Sequence, residues 1–287
     1  MWRDRKLTLT AYADLCAQSD VSVSAAPEFV AWHFSALGIA PKLVPLRRNG
    51  SIVGAFPSLY RTVFPTNVHK RFLGKSFPKL GDIGQTETLF PLLPIDRPVG
   101  LNHFSPATSP LLAGRVRAWR KKSLISIGIA KKKVDKRTIA LTEKFAAGTG
   151  KIFASTEMSP AEFADIYLDL HGKRWGYPPG EMVEIRKKII ALYPHVHGTV
   201  LTNRDEPVAA QLCFRHVGRS IFYVDFVNTG VKHEEGAYYG NILMYSGLRR
   251  AQLEAESSNK TLRFTFGYPY EAYKKIWAEF QPTFVGI

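Results

Sequence analysis

The chain has 287 residues, of which 45% are hydrophobic and 12% aromatic, with 39 Lys and Arg, 24 Asp and Glu, and two cysteines. This composition predicts one large or two smaller folded domains, and it excludes a disordered chain and a disulfide-rich scaffold. The longest uncharged stretch, residues 98–114, contains three prolines and is not a transmembrane helix. The formal net charge of +15 predicts an acidic partner such as nucleic acid, anionic lipid or a phosphorylated substrate, although a solvated basic surface would also explain it.

The amino terminus does not predict a signal peptide. Asp14 interrupts the apolar segment that follows the first basic residues. We therefore expect the chain to stay in the cytoplasm. There the two cysteines, Cys16 and Cys213, are expected to be reduced and buried.

The first half of the chain predicts an incomplete α+β unit. Pro27 suits the first position of a helix that Gly38 closes, and Asn49-Gly50 between two apolar runs is a strong β-hairpin signal. Residues 57–110 are rich in Pro and Gly and predict mostly loops. The predicted elements are helices over 10–18 and 28–37, strands over 42–47 and 51–59, short strands near 79–83 and 87–93, a basic helix over 111–123 and a strand over 124–130.

The second half has clearer signals. Ser159, Pro160 and Glu162 form a capping box with Pro at the first helical position. The polar segments 203–207 and 216–219 are typical of turns between antiparallel strands. The predicted elements are helices over 131–147, 160–175, 181–193 and 239–256, and strands over 151–155, 197–202, 208–215, 220–227 and 261–267. This order describes an α+β domain with a mostly antiparallel sheet.

Several segments resemble the FemABX-like branch of the GNAT acyltransferase superfamily. Residues 200–212 and 221–226 resemble its central sheet, and residues 262–267 followed by Tyr273-Lys274 resemble its last strand and its Tyr-Lys pair. The resemblance implies tandem GNAT-like units with mixed, mostly antiparallel central sheets flanked by helices. We expect an incomplete acceptor-side unit over 1–128 and an acyltransferase-like unit over 129–287.

The chain is more similar still to a bacterial family named for macrophage-inducible genes and linked to resistance to cationic antimicrobial peptides. This similarity rests on residues 171–176, 227–231 and 266–285. The chain departs from its relatives at two points. It has Tyr238-Tyr239-Gly240 where they show Ser-Pro-Gly, and Gly267-Tyr268-Pro269-Tyr270 where they show Gly-Arg-x-Asp, so an arginine and an aspartate are missing.

There are three catalytic candidates, of which the resemblance implies Lys274 and Tyr273 and the strand pattern indicates Asp225. Lys274 corresponds to a lysine in the acyl-transfer channel of FemABX-like proteins, where a cation can stabilise an oxyanion, and Tyr273 precedes it. A structural alternative is a terminal amphipathic turn with Tyr273 and Trp277 packed and Lys274 exposed. Asp225, within an apolar strand, is a candidate base if burial raises its pKa, or else a structural partner of a cation.

The resemblance also implies donor and acceptor sites. An acyl donor would lie against the start of the long helix, at Gly236, Tyr239, Gly240 and Asn241. The pyrophosphate signature of coenzyme A users is absent, so no cofactor is firmly implied and the donor stays open between acyl-CoA and aminoacyl-tRNA. In the family, the helix end that carries His171, Lys173, Arg174 and Trp175 faces an acceptor groove; a structural helix cap is the alternative. His195 and His197 lack further ligands at a suitable spacing, so we expect no metal site.

Residues 111–137 hold ten Lys and Arg and one acid, which is +9 of the total +15. This layout suits an anionic membrane surface or the phosphates of a tRNA. The family resemblance favours the inner membrane, to which the chain would bind peripherally from the cytoplasm. The residues proposed for this surface are Arg117, Arg120, Lys121, Lys122, Lys131, Lys132 and Lys133.

Together these features favour a FemABX-like acyl or aminoacyltransferase that modifies a cell-envelope precursor and contributes to resistance to cationic antimicrobial peptides. A catalytically degenerate binding or scaffold protein at the inner membrane is the second interpretation, and the missing arginine and aspartate favour it. A nucleic-acid-binding regulator is the third.

Overall fold

The computed structural model describes residues 7–48, 50–59, 62–63, 118–128, 132–176, 179–232, 238–267 and 271–286. The strands predicted near 79–83 and 87–93 lie outside these residues. The α-helices are α1 (Leu9–Ala17), α2 (Pro27–Ala36), α3 (Lys132–Ala147), α4 (Pro160–Trp175), α5 (Pro179–Ala191), α6 (Tyr239–Ser257) and α7 (Lys274–Trp277). The strands are β1 (Leu43–Arg48), β2 (Ser51–Leu59), β3 (Thr62–Val63), β4 (Ala118–Gly128), β5 (Gly150–Ala154), β6 (Thr199–Asn203), β7 (Glu206–Val217), β8 (Ile221–Val231), β9 (Thr261–Thr265) and β10 (Ala278–Gly286).

A small antiparallel sheet follows the first two helices. β1 and β2 form the hairpin that Asn49-Gly50 predicted, and β2 then pairs with β3. Gly50 has a φ of 82°, a left-handed conformation that glycine adopts without strain. The helix predicted to begin at Pro27 is also confirmed.

Among the described residues, the larger sheet has seven strands in the order β10-β4-β9-β8-β7-β6-β5. Neighbouring strands are antiparallel except β8 and β9, which are parallel because α6 carries the chain back along the sheet between them. The predicted hairpins β6–β7 and β7–β8 are confirmed. The sheet is therefore mixed and mostly antiparallel, as the α+β prediction required.

The helix predicted for residues 111–123 is wrong where the structure describes it. Residues 118–123, including Arg120, Lys121 and Lys122, belong to β4. β4 pairs along most of its length with β10, where no strand was predicted. The strand predicted over 124–130 matches the second half of β4. Local patterning missed residues 118–123 and all of β10, because these segments pair with each other from distant parts of the chain. The division at residue 128 stays a prediction; β4, which precedes it, shares a sheet with β5–β10.

Apolar side chains cover both faces of the larger sheet. On one face, which we call the α4 face, Tyr167 packs in one core with Tyr223 of β8. On the other, the α6 face, Leu248 packs in one core with Phe264 of β9. Both cysteines are free and buried, one in each core, which confirms the predicted burial.

Helix α4 begins and ends as its sequence predicts. The Ser159 hydroxyl accepts a hydrogen bond from the Glu162 backbone N–H at 3.2 Å, and the Glu162 carboxylate accepts one from the Ser159 N–H at 3.4 Å. The helix ends at Gly176, which has a φ of 64°. Its basic last turn therefore lies close to the C-terminal half of β8.

The approach of α4 to β8 is very close at Gly230. A Cβ atom at this position would lie 2.4 Å from the backbone nitrogen of His171. Backbone atoms cannot move aside as a flexible side chain can, so any larger residue would push α4 away from the sheet. A glycine at 230 thus sets the distance between α4 and β8.

Gly230→Ala should lower the free energy of unfolding by about 1–3 kcal/mol, because α4 must move to admit the methyl group. Gly240→Ala is the matched control, since a Cβ there meets no atom within 4 Å. The control should leave stability unchanged or slightly raised. Urea unfolding followed by circular dichroism measures both variants, and equal stability of the two would contradict the expectation.

A cluster of charged side chains joins α6 to β6 and β7. The Glu254 carboxylate lies 3.3 Å from His197 Nε2 and 2.6 Å from Arg215 Nη1. Arg250 donates from Nη2 to the Gly198 carbonyl at 2.6 Å. Burial lowers the pKa of His197. Burial acts to raise the pKa of Glu254, but the hydrogen bond from His197 and the neighbouring positive charges lower it to about 2.

These pKa shifts predict that acid destabilises the protein. On unfolding, His197 returns to its ordinary pKa of 6.5 and Glu254 to 4.5, so the unfolded chain binds more protons. Stability should therefore fall as the pH drops below 6.5, and fall again from 4.5 towards 2. Glu254→Gln should lower Tm at neutral pH and remove the second fall. Glu256→Gln, at an exposed position of the same helix, should keep the wild-type profile in thermal melts; the same profile in Glu254→Gln would refute the assignment.

Candidate functional site

The pairing of β8 with β9 ends part-way along β8. The two strands are in register from Ile221 with Thr261 to Asp225 with Thr265. β8 continues to Val231, whereas β9 ends at Thr265. The paired ladder therefore ends at Asp225, and just beyond it the Phe226 and Phe266 rings pack at 5.2 Å between centroids. We call the region bordered by residues 226–231 and 266–267 the splay.

A β-bulge lies at the closed end of the splay. Cys213 of β7 pairs with Phe226, and Leu212 pairs with Asn228, so Val227 is an extra residue in β8. A bulge bends the strand that carries it and increases its twist. It therefore bends β8 where its pairing with β9 ends.

Arg174, in the last turn of α4, reaches the splay. Its Nη1 atom donates hydrogen bonds to the Thr229 hydroxyl at 2.9 Å and to the Thr229 carbonyl at 3.5 Å. Burial and the Glu271 carboxylate raise the pKa of Tyr273 to about 12, while the charge of Arg174 acts to lower it. The phenol therefore stays protonated, and Tyr273 packs against the α6-face core, as the amphipathic-turn alternative expects.

Lys274 approaches the splay from the β9 side. Its ammonium donates a hydrogen bond at 2.7 Å to the carbonyl of Phe266, the first residue after β9. Burial lowers the pKa of Lys274, and the Glu271 carboxylate opposes that shift. Trp277 packs into the α6-face core and anchors α7. Lys274 is therefore half-buried and hydrogen-bonded, whereas the amphipathic-turn alternative expects it to be exposed.

Asp225 lies where the pairing of β8 and β9 ends. Only 3% of its surface is exposed. Alternation along β8 places it with Tyr223 on the α4 face, beside Thr265 of β9. The structure thus brings Arg174 and the Tyr273-Lys274 pair to the splay and puts Asp225 at its closed end.

The residues predicted to bind an acyl donor divide into three groups. Gly236 lies outside the described residues. Tyr239 is buried, and its hydroxyl accepts a hydrogen bond from Asn203 of β6 at 3.2 Å, so this side chain packs towards β6. Gly240 and Asn241 lie in the first turn of α6, and the space around Gly240 is open.

The residues predicted to bind the acceptor point in different directions. Arg174 reaches the splay. His171 is buried, with its ring stacked on that of Tyr167 at 5.0 Å between centroids. Lys173 forms an exposed ion pair within α4. The side chain of Trp175 lies outside the described part. Acceptor binding by these residues stays a prediction.

The basic residues proposed for a polyanion surface lie in two elements. Arg120, Lys121 and Lys122 belong to β4, and Lys132 and Lys133 begin α3. Arg117 and Lys131 fall outside the described residues. Of the helices that the structure describes, none is both long enough and apolar enough to cross a membrane.

Comparison with known proteins identifies the family. The family model for Mig-14 matches residues 26–286, which is nearly the whole chain. The chain belongs to the Mig-14 family. No curated protein matches the sequence.

The Mig-14 chain is similar in fold to two solved structures. The crystal structure of FemX matches with a TM-score of 0.56 and 10% identity, over 98% of this chain and 96% of that one. A conserved protein of unknown function from Bacteroides thetaiotaomicron VPI-5482 matches with a TM-score of 0.53 and 9% identity, over 100% of this chain and 99% of that one. At these identities the likeness concerns the fold alone. It confirms the FemABX-like GNAT fold.

Two contacts of the Mig-14 splay were missed at the level of sequence. One is the bond from Arg174 to Thr229, and the other is the bond from Lys274 to the Phe266 carbonyl. The polar run 228–230, which interrupts an apolar strand, was the available signal for the first. The second had no signal, because every residue carries a backbone carbonyl.

Two cationic hydrogen-bond donors border the splay of this Mig-14 protein. They are the Arg174 guanidinium, which bonds to Thr229, and the Lys274 ammonium, which bonds to the Phe266 carbonyl. Donors of this kind stabilise negative charge, and they do so more strongly where water is partly excluded. The arrangement is therefore suited to binding an anion or to stabilising an oxyanion.

Proposed function

We propose that this protein transfers an acyl or aminoacyl group to a cell-envelope precursor. The observation that carries the proposal is the position of Lys274, whose half-buried ammonium lies at the β9 edge of the splay, while Arg174 lies at the β8 edge. The FemABX-like GNAT fold supports an acyl-transfer chemistry for such an opening.

In the proposed reaction, an amine or hydroxyl of the acceptor attacks the carbonyl carbon of a thioester or ester donor. The acceptor's proton passes to a base, for which Asp225 is the candidate at the closed end of the splay. The carbonyl oxygen becomes an oxyanion, which Lys274 stabilises. Collapse of the tetrahedral intermediate reforms the carbonyl and expels the thiolate or alkoxide of the donor, which takes up a proton.

The start of α6 is the proposed site for an anionic donor. Tyr238, the residue that precedes the helix, provides no side-chain hydrogen bond to it, and acidic residues are absent from its described first turn. Free N–H groups at a helix N-terminus favour phosphate or carbonyl oxygens. These features suit acyl-CoA and aminoacyl-tRNA equally.

The acceptor proposed here is an anionic envelope precursor, and the biological result is resistance to cationic antimicrobial peptides. Masking a negative charge weakens the electrostatic attraction of such peptides. Membership of the Mig-14 family supports the proposed role in resistance, because the family resemblance implies resistance to cationic antimicrobial peptides.

A catalytically degenerate binding or scaffold protein is the second candidate. It is favoured by Tyr268 and Tyr270, which stand where relatives show Arg and Asp. The two proposals differ in one measurable consequence, since only an enzyme changes the mass of an envelope component.

We expect Lys274→Ala to lower transfer by about 100-fold or more, because it removes the oxyanion-stabilising charge. A deletion strain carrying wild-type protein, Lys274→Ala or Lys275→Ala is analysed by mass spectrometry of envelope lipids and peptidoglycan. Lys275 is the control, as an exposed lysine next in the chain. Wild-type and Lys275→Ala strains should share a mass product that the deletion and Lys274→Ala strains lack. A fully resistant, normally expressed Lys274→Ala strain would rule out this role, and equal masses in all strains with a susceptible deletion would favour the scaffold.

We also propose that the basic segment 111–137 binds the cytoplasmic face of the inner membrane. Each basic residue near an anionic membrane contributes about 1 kcal/mol. The net charge of +9 in this segment supports that assignment.

Changing Lys131, Lys132 and Lys133 to Glu should therefore weaken binding to phosphatidylglycerol-containing vesicles by about 100-fold or more. The matched control carries the same charge change at exposed Lys42, Lys151 and Lys187. Vesicle co-sedimentation measures both. Equal loss in the two triple variants would mean that total charge and not this segment drives binding.

A further inference from the structure

A cavity lies at the opposite end of β8 from the splay. It has a volume of about 460 Å³ and is formed by α1, the start of α2, the β7–β8 turn and the start of β9. About ten residues of strand separate that turn from Thr229, which corresponds to roughly 30 Å. The residues that matter for its chemistry are Cys16, Glu28, His216, Arg219 and Lys260.

Opposite charges line this cavity without neutralising each other. Within the described part of the chain, neither the Glu28 carboxylate nor the Arg219 guanidinium has an ion-pair partner. Lys260 donates to the carbonyls of Gly218 and Arg219 at 2.8 and 2.9 Å. An ammonium has three hydrogens, so one donor of Lys260 is left for a ligand.

The remaining lining is neutral. Burial raises the pKa of the Cys16 thiol to about 12, so the thiol stays protonated and is a poor metal ligand. Burial lowers the pKa of His216, which keeps its imidazole neutral, with one donor and one acceptor nitrogen. The cavity thus has a neutral interior with a negative group and two positive groups around it.

The framework of the cavity is fixed by a long-range contact. Asp20, between α1 and α2, accepts hydrogen bonds from the backbone N–H groups of Ser220 and Ile221 at 2.7 and 2.9 Å. The same carboxylate accepts from the Ser220 hydroxyl. These bonds hold the β7–β8 turn against the segment between α1 and α2, so the backbone that carries Arg219 is positioned before a ligand arrives.

We propose that this cavity binds a small zwitterion of the α-amino acid type, with its carboxylate at Arg219 and Lys260 and its ammonium at Glu28. A simple anion would meet repulsion from Glu28, and a simple cation would meet repulsion from Arg219. A molecule that carries both charges satisfies both groups. This site is separate from the splay and does not depend on the proposed transfer reaction.

Isothermal titration calorimetry of the full chain with L-alanine, L-glutamate and L-phenylalanine tests the proposal. At least one of the three should bind saturably with one molecule per chain. Propionate and ethylamine, which each carry one of the two charges, should bind about 10-fold or more weakly than that amino acid. Absence of saturable binding up to about 10 mM for all three amino acids, or equal binding of propionate, would overturn the proposal.

Variants locate the binding. Arg219→Gln and Glu28→Gln should each weaken binding of the amino acid by about 10-fold. Arg249→Gln and Glu143→Gln, at exposed positions of α6 and α3, are the matched controls and should bind as the wild type does. Arg174→Ala, at the splay, should also leave binding unchanged. If Arg174→Ala lost binding while Arg219→Gln retained it, the amino acid would be assigned to the splay and the proposal would be overturned. Circular dichroism verifies that every variant is folded.

Discussion

The site depends on one constraint, which is that the parallel pairing of β8 with β9 stops at Asp225 and Thr265. Backbone carbonyls beyond that point lose their partners in the ladder and must find others. Two of them accept hydrogen bonds from cationic side chains. Arg174 donates to the Thr229 carbonyl, and Lys274 donates to the Phe266 carbonyl. The separation of the strands therefore opens the site and also explains why it is positively charged. The bulge at Val227 belongs to the same arrangement, because it bends β8 away at this level.

Local signals in the sequence were sufficient for most helices and for the hairpins. The capping box at Ser159 and the Asn49-Gly50 turn are examples in which neighbouring residues alone determine the structure. The first half of β4 and the whole of β10 could not be predicted in this way, because each depends on pairing with the other. The Tyr273-Lys274 pair and Arg174 were found through family resemblance and not through spacing. The partner of Lys274 was missed because it is a backbone carbonyl, which every residue carries, whereas Thr229, the partner of Arg174, lies in a polar run that was an available signal.

The position of α6 is held from its C-terminal half. The cluster of His197, Arg215, Arg250 and Glu254 connects this half of the helix to β6 and β7. A partly buried ion cluster of this kind adds little net stability relative to apolar packing, but breaking it leaves charges without partners. The cluster therefore acts mainly to specify one position for the helix. Because α6 is a single rigid element of 19 residues, the same contacts also determine where its N-terminus lies relative to the splay.

The segment before β1 belongs to this framework as well. Asp20 bonds to the turn that precedes β8, and a Cβ atom at Gly218 in that turn would lie 2.6 Å from the Asp20 carboxylate. The contact is therefore closely fitted at a separation of 200 residues along the chain. Removing the carboxylate would leave two backbone N–H groups at the start of β8 without their acceptor. The N-terminal segment thus holds the start of β8, and the cations of the splay border its C-terminal half. β8 therefore connects the Asp20 contact with the splay.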